Sequence, residues 1–177
     1  MILARDIFQR SNTLRRRGKK LKYYPVGLNI WNKEALVVGA GRVAERKVRV
    51  LRSFGAKVSV VAPQVTRYIA RLSKDGAIKL SKRIYRPSDI FGARLVIAAT
   101  SDENVNKEIS YDARKKSILV NVVDNAARCD FISTAIIRKR GLVVSVSTDA
   151  KDPAMAKKFK DFLKRKIDEF DAGRYQL

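Results

Sequence analysis

Short apolar runs alternate with segments of helical periodicity along the chain from residue 35 onward. The runs that predict β-strands lie at 35–39, 57–62, 77–82, 94–100, 118–124 and 142–148. The segments that predict helices lie at 42–54, 64–74, from the Thr100–Glu103 capping box to about 116, and 155–170. The alternation of strands and helices predicts an α/β fold with a Rossmann-like, doubly wound parallel sheet.

Helical periodicity also predicts which side chains the helices bury. On the first helix, the predicted face consists of Val43, Lys47, Val50, Leu51 and Phe54. The last helix carries an apolar stripe made of Met155, Phe159, Phe162, Leu163, Ile167 and Phe170. Such a stripe must be covered. It packs either on its own domain or on a second chain, and periodicity leaves both arrangements open.

A glycine-rich turn joins the first predicted strand to the first predicted helix. It reads G-x-G-x-x-A, with Gly39, Gly41 and Ala44 at the defined positions. Gly39 permits the tight turn, Gly41 lets the backbone approach a pyrophosphate, and Ala44 lets the helix pack close to the strand. The free N–H groups at the helix N-terminus favour phosphate groups. The turn predicts a dinucleotide site, and a tight turn without a ligand is the alternative.

The end of the second predicted strand leaves the choice between NAD and NADP open. An Asp or Glu about 20 residues beyond the turn would hold the ribose 2′-hydroxyl of NAD. The strand ends instead in Ala62, Pro63 and Gln64, and no arginine stands there to favour a 2′-phosphate, although Arg67 is near.

Two aspartates lie close to predicted strand ends. Ligands of doubly wound sheets bind outside the carboxyl ends of the strands, which directs attention to the residues after Gly39, Ala62, Thr100 and Asp124. Asp102 is best explained as a first-turn charge of the helix that follows. Asp124 closes an apolar strand and precedes no obvious helix. It is therefore either an acid–base group or a turn residue.

The amino-acid composition excludes several kinds of catalytic, metal-binding and disulfide site. The 177 residues include no histidine and one cysteine, Cys129. The absence of histidine excludes Ser-His-Asp and Cys-His catalysis and His-ligated metals, and a single cysteine excludes a disulfide framework. No metal site is predicted. The apolar runs are all shorter than the roughly 20 residues that cross a bilayer, so we expect a cytoplasmic protein without membrane contact.

The chain is strongly basic, with 39 Lys and Arg against 17 Asp and Glu, a net charge of +22. Residues 1–22 contribute +7 and the remainder +15. This charge predicts an anionic partner. The segment 1–22 is either a solvated basic arm or an arm that contacts nucleic acid or a membrane surface. The non-enzymatic alternative is therefore a dinucleotide-sensing regulatory module whose basic arm contacts nucleic acid.

Several short motifs together resemble one known family. They are Y-P-V at 24–26, A-L-V-V-G-A-G-R-V-A-E-R-K at 35–47, V-V-A-P at 60–63, V-I-A-A-T-S-D at 96–102, N-V-V-D at 121–124 and F-I at 131–132. In order and spacing they resemble the precorrin-2 dehydrogenase and sirohydrochlorin ferrochelatase family, the N-terminal module of siroheme synthases. The likeness extends from about residue 23 to residue 165.

The resemblance implies an activity and a cofactor. The reaction would be the NAD-dependent oxidation of precorrin-2, a polycarboxylate tetrapyrrole, to sirohydrochlorin in siroheme or cobalamin biosynthesis. Some members also insert iron, which the resemblance leaves open for this chain. The family's catalytic aspartate falls on Asp124. The predicted cofactor-binding residues are Gly39, Ala40, Gly41, Arg42, Val43, Ala62, Pro63, Gln64 and Thr100.

The resemblance also implies a domain plan and a partner. Residues 1–22 would be the basic arm, 23–130 the NAD-binding Rossmann domain, and 131–177 a dimerisation region with the C-terminal helix. A homodimer is expected, and nucleic acid is not expected as a partner. One departure concerns the loop before Pro153, where the family has small Ser and Gly residues and this chain has Ser147–Asp152 with Asp149 and Ala150.

Overall fold

A computed structural model describes residues 21–123 and 125–169 of the chain. The elements are β1 (Glu34–Val38), α1 (Arg42–Ser53), β2 (Lys57–Val61), α2 (Arg67–Lys74), β3 (Lys79–Ser81), β4 (Leu95–Ala98), α3 (Glu103–Lys115), β5 (Leu119–Val122), β6 (Ala135–Lys139), β7 (Leu142–Val146) and α4 (Pro153–Glu169). Single 3₁₀ turns lie at Pro87–Ile90 and Ala126–Arg128.

Five strands form one parallel sheet in the order β3-β2-β1-β4-β5. Val38, the last residue of β1, is opposite Val61 of β2 on one side and Ala98 of β4 on the other. The chain passes from β1 to β2 and β3 on one side of β1, and then returns to form β4 and β5 on the other side of β1. The carboxyl ends of β1 and β4 therefore form the crevice at which doubly wound folds bind ligands. The predicted fold class is confirmed.

Both faces of this sheet are buried, because the strands alternate their side chains between two helical layers. Val37 packs with Val48 of α1 and Ile69 of α2 on one face. Leu36 packs with Ile109 of α3 on the other. The near-continuous apolar sequence of β1 and β4 follows from this two-sided burial.

The buried face of α1 differs from the predicted one. Ala44, Val48 and Leu51 are buried, whereas Val50 is 44% exposed. Apolar residues occur on more than one side of this helix, so periodicity left the facing direction ambiguous, and packing against β1 and β2 decided it.

The predicted capping box also differs from the structure. Asp102, not Thr100, is the N-cap of α3, and its carboxylate accepts hydrogen bonds from Asn104 N and Val105 N. This placement bears out the interpretation of Asp102 as a charge at the start of a helix.

The segment 142–148 forms β7, which lies outside the parallel sheet. It pairs antiparallel with β6, a strand that periodicity did not predict, in a separate two-stranded sheet. Arg140 and Gly141 form the turn, and both have positive φ, as mirror-image hairpin turns require. Helix α4 packs against both strands of this hairpin.

Helix α1 connects the hairpin to the parallel sheet. Lys47 Nζ donates to Ser133 Oγ at 2.7 Å, and the Arg138 guanidinium lies 4.5 Å from the centre of the Phe54 ring and donates to Ser53 O. None of the helices within residues 21–123 and 125–169 combines the length and hydropathy needed to span a bilayer.

Candidate dinucleotide site

Gly39 begins the glycine turn in a conformation that other residues rarely adopt. Its φ is +105°, and a Cβ placed on it would lie 2.3 Å from the Ala99 carbonyl oxygen. Its N–H donates to Val61 O at 2.9 Å. The turn is therefore pressed between the ends of β2 and β4, and only glycine fits there.

Gly41 has the opposite surroundings. It is the N-cap of α1 with an extended backbone, and a Cβ placed on it would meet no atom within 4 Å. No described side chain caps this helix. The start of α1 therefore has open space beside Gly41 and no side-chain cap among the described residues. An uncapped helix N-terminus with room beside its glycine suits the oxygens of a pyrophosphate.

The loop after β2 forms a second side of the crevice. Ala62 is buried, while Pro63 and Gln64 are exposed. Thr66 N donates to the carbonyl of Ala40, itself buried, at 3.3 Å. This bond joins the loop after β2 to the glycine turn, although Ala40 and Thr66 are 26 positions apart in the chain.

Thr100 stands at the third side, after β4, and is held by a buried amide. Asn106 Oδ1 accepts from Thr100 N at 3.2 Å and from Thr100 Oγ1 at 2.8 Å, and its Nδ2 donates to Thr100 O at 3.1 Å. Asn106 is 8% exposed. Three hydrogen bonds from one side chain therefore fix the loop that lies against Gly39.

Asp124, the predicted catalytic residue, lies outside the described residues. Its neighbours in the chain, Val123 and Asn125, follow the end of β5 at Val122. Val123 N donates to Ala98 O at 2.9 Å, and Asn125 N donates to Val122 O at 3.3 Å. The residue before position 124 is therefore bonded to the last residue of β4.

The Cys129 side chain bonds backbone atoms of the loop after β5. Its thiol is buried, donates to Val122 O at 3.2 Å and accepts from Val122 N at 3.1 Å. Burial raises the pKa of this thiol above its usual range. The buried, internally bonded thiol contributes to the packing of this loop, as expected of a small internal residue.

Asn121, on β5, contributes a second buried polar group below the same loop. Its Nδ2 donates to Phe131 O at 2.9 Å, which connects the strand to the segment that leads into β6. Its Oδ1 is buried without a hydrogen-bond partner among the described residues.

Sequence reasoning missed the residues that hold these loops. Asn106 is the clearest example, because most of its partners at Thr100 are backbone atoms, which a sequence pattern does not identify. Asn106 offered one signal, since an asparagine within a helix is unfavourable unless its amide has a specific partner.

Comparison with known proteins agrees with this geometry. A family described as "Putative NAD(P)-binding" matches residues 26–135. The chain belongs to this family. The match contains all three loops of the crevice and confirms the prediction of a nicotinamide dinucleotide as cofactor.

Curated relatives are siroheme synthases. The one from Pseudomonas entomophila (strain L48) is 42% identical over 137 residues, which are 77% of this chain and 30% of the relative. The one from Methylococcus capsulatus (strain ATCC 33009 / NCIMB 11132 / Bath) is 39% identical over 140 residues, 79% of this chain and 30% of the relative. The chain thus spans about 30% of the length of the curated relatives it matches.

A solved structure described as "SirC, precorrin-2 dehydrogenase" superposes on the chain with a TM-score of 0.71 and 27% sequence identity. The superposition covers 81% of this chain and 71% of that one. Together with the siroheme synthases, it confirms the family resemblance seen in the sequence.

Proposed function

We propose that the protein is a precorrin-2 dehydrogenase, which oxidises precorrin-2 to sirohydrochlorin with NAD. The observation that carries the proposal is the glycine turn at the crevice between β1 and β4, where Gly39 is pressed on Ala99 and Gly41 is open. The likeness to a precorrin-2 dehydrogenase and to siroheme synthases supplies the substrate class.

The cofactor would be held mainly by backbone groups. Gly39, Ala40, Gly41, Arg42 and Val43 would bind the pyrophosphate through their N–H groups and the positive end of the α1 dipole. Bound NAD would supply the hydride acceptor of the reaction.

The remaining cofactor contacts are assigned to the other two loops. Ala62, Pro63 and Gln64 would line the adenosine side, and Thr100 would lie on the nicotinamide side of the crevice. No acidic residue ends β2, so the Gln64 amide is the group that would bond the ribose hydroxyls of NAD.

Asp124 would be the proton acceptor. Dehydrogenation removes one hydride and one proton from the tetrapyrrole, and the protein must provide a base for the proton. The support for this role comes from the preceding residue, since Val123 N donates to Ala98 O at the end of β4, the strand that leads to Thr100. A carboxylate at position 124 can take a proton from carbon or hold a pyrrolic N–H.

The charge of the chain supports a polyanionic substrate. Precorrin-2 carries eight carboxylates, and a surface with a net charge of +22 raises both its local concentration and its rate of encounter. The effect is electrostatic, so turnover at low substrate concentration should weaken as the ionic strength rises.

Residues 131–177 would form the interface of a homodimer. Helix α4 exposes Met155, Phe159 and Phe162, and β7 exposes Leu142 and Val143 nearby. Two copies that joined these faces would cover an apolar surface that the single chain leaves in water. The proposed division places the dinucleotide domain at 23–130 and the dimerisation region at 131–177.

The proposed location is the cytoplasm, where a cysteine remains a thiol. Cys129 is free and buried, as suits a reducing compartment.

The decisive experiment measures NADH formation with precorrin-2 generated in situ. We expect turnover by the wild-type protein, and turnover lost in Asp124→Ala while NAD binding, followed by calorimetry, stays unchanged. Absence of turnover, where a known dehydrogenase is active, would refute the proposal. A near-normal rate in Asp124→Ala would refute the role of Asp124 alone. A parallel assay with Fe²⁺ or Co²⁺ tests whether sirohydrochlorin is also metallated.

A further inference from the structure

The segment that precedes the parallel sheet connects two loops that are far apart in sequence. Lys22 N and Tyr23 N both donate to Asp149 Oδ1, at 2.9 and 3.0 Å. The Tyr23 hydroxyl donates to Ala126 O at 2.9 Å. Residues 22–23, Asp149 and Ala126 thus form one hydrogen-bonded unit, here called the N-terminal clasp.

At one end of the clasp, Asp149 and Ala150 adopt a backbone conformation that residues other than glycine rarely adopt. Asp149 and Ala150 have φ values of +58° and +61°, in the left-handed region that glycine adopts most easily. The carboxylate of Asp149 is 5% exposed and also pairs with Lys151 Nζ at 2.9 Å. These hydrogen bonds to the carboxylate offset the conformational cost of two consecutive non-glycine residues.

The other end of the clasp belongs to the loop after β5. Ala126 begins the 3₁₀ turn Ala126–Arg128, two positions beyond Asp124 in the chain. This turn is held from within by Arg128 N to Asn125 O at 3.1 Å and Cys129 N to Ala126 O at 3.3 Å, and the Cys129 thiol donates to Asn125 O at 3.3 Å. The Tyr23 hydroxyl adds to these a bond from the segment that precedes β1, made at the first residue of the turn.

We propose that Tyr23 is a positioning residue of the dehydrogenase site, and that it holds the loop carrying position 124 by joining Ala126 to Asp149. The inference rests on the proposed function. The dinucleotide turn at Gly39–Val43 is not part of the clasp, so the clasp acts on the chemical step and leaves the affinity for NAD unchanged.

The test compares Tyr23→Phe with the wild-type protein in the precorrin-2 assay. Tyr23→Phe removes one hydroxyl and keeps the ring. We expect kcat to fall about three- to tenfold, as for one lost hydrogen bond, with an unchanged KM for NAD. The matched control is Tyr24→Phe, because Tyr24 is 85% exposed and should keep the wild-type kcat.

Two variants of Asp149 test the other end. Asp149→Gly removes the carboxylate and suits a positive φ, so it should lower kcat like Tyr23→Phe without adding strain. Asp149→Asn keeps an oxygen that can accept from Lys22 N and Tyr23 N, and should retain most of the activity. This rescue would not be expected of a residue that acts only through its charge.

Hydrogen–deuterium exchange gives a readout independent of substrate. The amides of residues 125–130 should exchange faster in Tyr23→Phe and Asp149→Gly than in the wild-type protein, Tyr24→Phe and Asp149→Asn. Wild-type kcat or wild-type exchange in Tyr23→Phe would overturn the inference while leaving the dehydrogenase function intact. Absence of turnover in the wild-type protein would overturn the proposed function, and the inference with it.

Discussion

Gly39 and Ala99 approach each other so closely across the ends of β1 and β4 that no side chain fits between them. A Cβ on Gly39 would lie 2.3 Å from Ala99 O and 2.6 Å from the Ala99 carbonyl carbon. The contact brings the glycine turn against the loop that Asn106 fixes. It couples the shape of the dinucleotide crevice to the packing of the two central strands.

Gly39→Ala is expected to destabilise the fold as well as the site. The substitution adds a backbone clash to a φ of +105°, and we expect a loss of about 2–4 kcal/mol in the free energy of unfolding. Urea denaturation measures it. Gly76→Ala is the matched control, since Gly76 also has a positive φ but open space around it, so strain alone should cost about 1 kcal/mol. Equal losses in the two variants would contradict the contact with Ala99.

Gly41→Ala is expected to separate binding from folding. Nothing lies within 4 Å of a Cβ at this position and its φ is −79°, so the melting temperature should change little. The added methyl would occupy the space assigned to the pyrophosphate. We expect NAD affinity to fall at least about tenfold, equivalent to about 1.4 kcal/mol, by calorimetric titration. Wild-type affinity would contradict the placement of the pyrophosphate.

Asn106→Ala should loosen the loop at Thr100. The variant leaves Thr100 N and Thr100 O without their buried partner, which costs about 1–3 kcal/mol of stability and weakens NAD binding. Thermal unfolding and NAD titration measure the two effects. The control is Asn104→Ala, on the exposed side of α3. If both variants bound NAD equally well, Asn106 would have no role in shaping the site.

The Arg83–Asp89 pair should make stability depend on pH in acid. Two hydrogen bonds from Arg83, at 2.8 and 2.5 Å, hold the pKa of Asp89 below its usual value of 3.8. The folded protein therefore binds fewer protons than the unfolded chain in acid, and its stability falls as pH drops from the ordinary pKa through the lowered one.

The variant Asp89→Asn tests whether this pair makes stability fall as the pH drops. The variant should be less stable than the wild-type protein near neutral pH, and the difference should shrink as the pH falls below the usual value of 3.8. Urea denaturation across this range measures the difference, with Asp75→Asn, an exposed turn residue after α2, as the control. A difference that stayed constant with pH would contradict the pairing.

Local sequence was sufficient for the elements around the dinucleotide site. Apolar runs predicted β1, β2, β4 and β5 within a few residues of their observed ends, because strands buried on both faces have few polar positions. The spacing of Gly39, Gly41 and Ala44 predicted the turn, because its backbone geometry depends on these residue types themselves.

Other features depend on partners that periodicity cannot identify. β3 has three residues, fewer than the predicted run at 77–82, and β6 escaped prediction because its sequence mixes apolar and basic residues that are mostly only half-buried. On α1 the predicted burial is right for Leu51 and wrong for Val50, since the choice between Val48 and Val50 depends on where the sheet lies.

The sequence by itself determined the parallel α/β architecture, the glycine turn and the family, because each follows from residue types over short distances. Only the tertiary structure decided that Asn106 holds Thr100, that Gly39 rests on Ala99 and that Tyr23 reaches Ala126. These contacts join residues up to 103 positions apart, and chain topology, not local propensity, brings their atoms together.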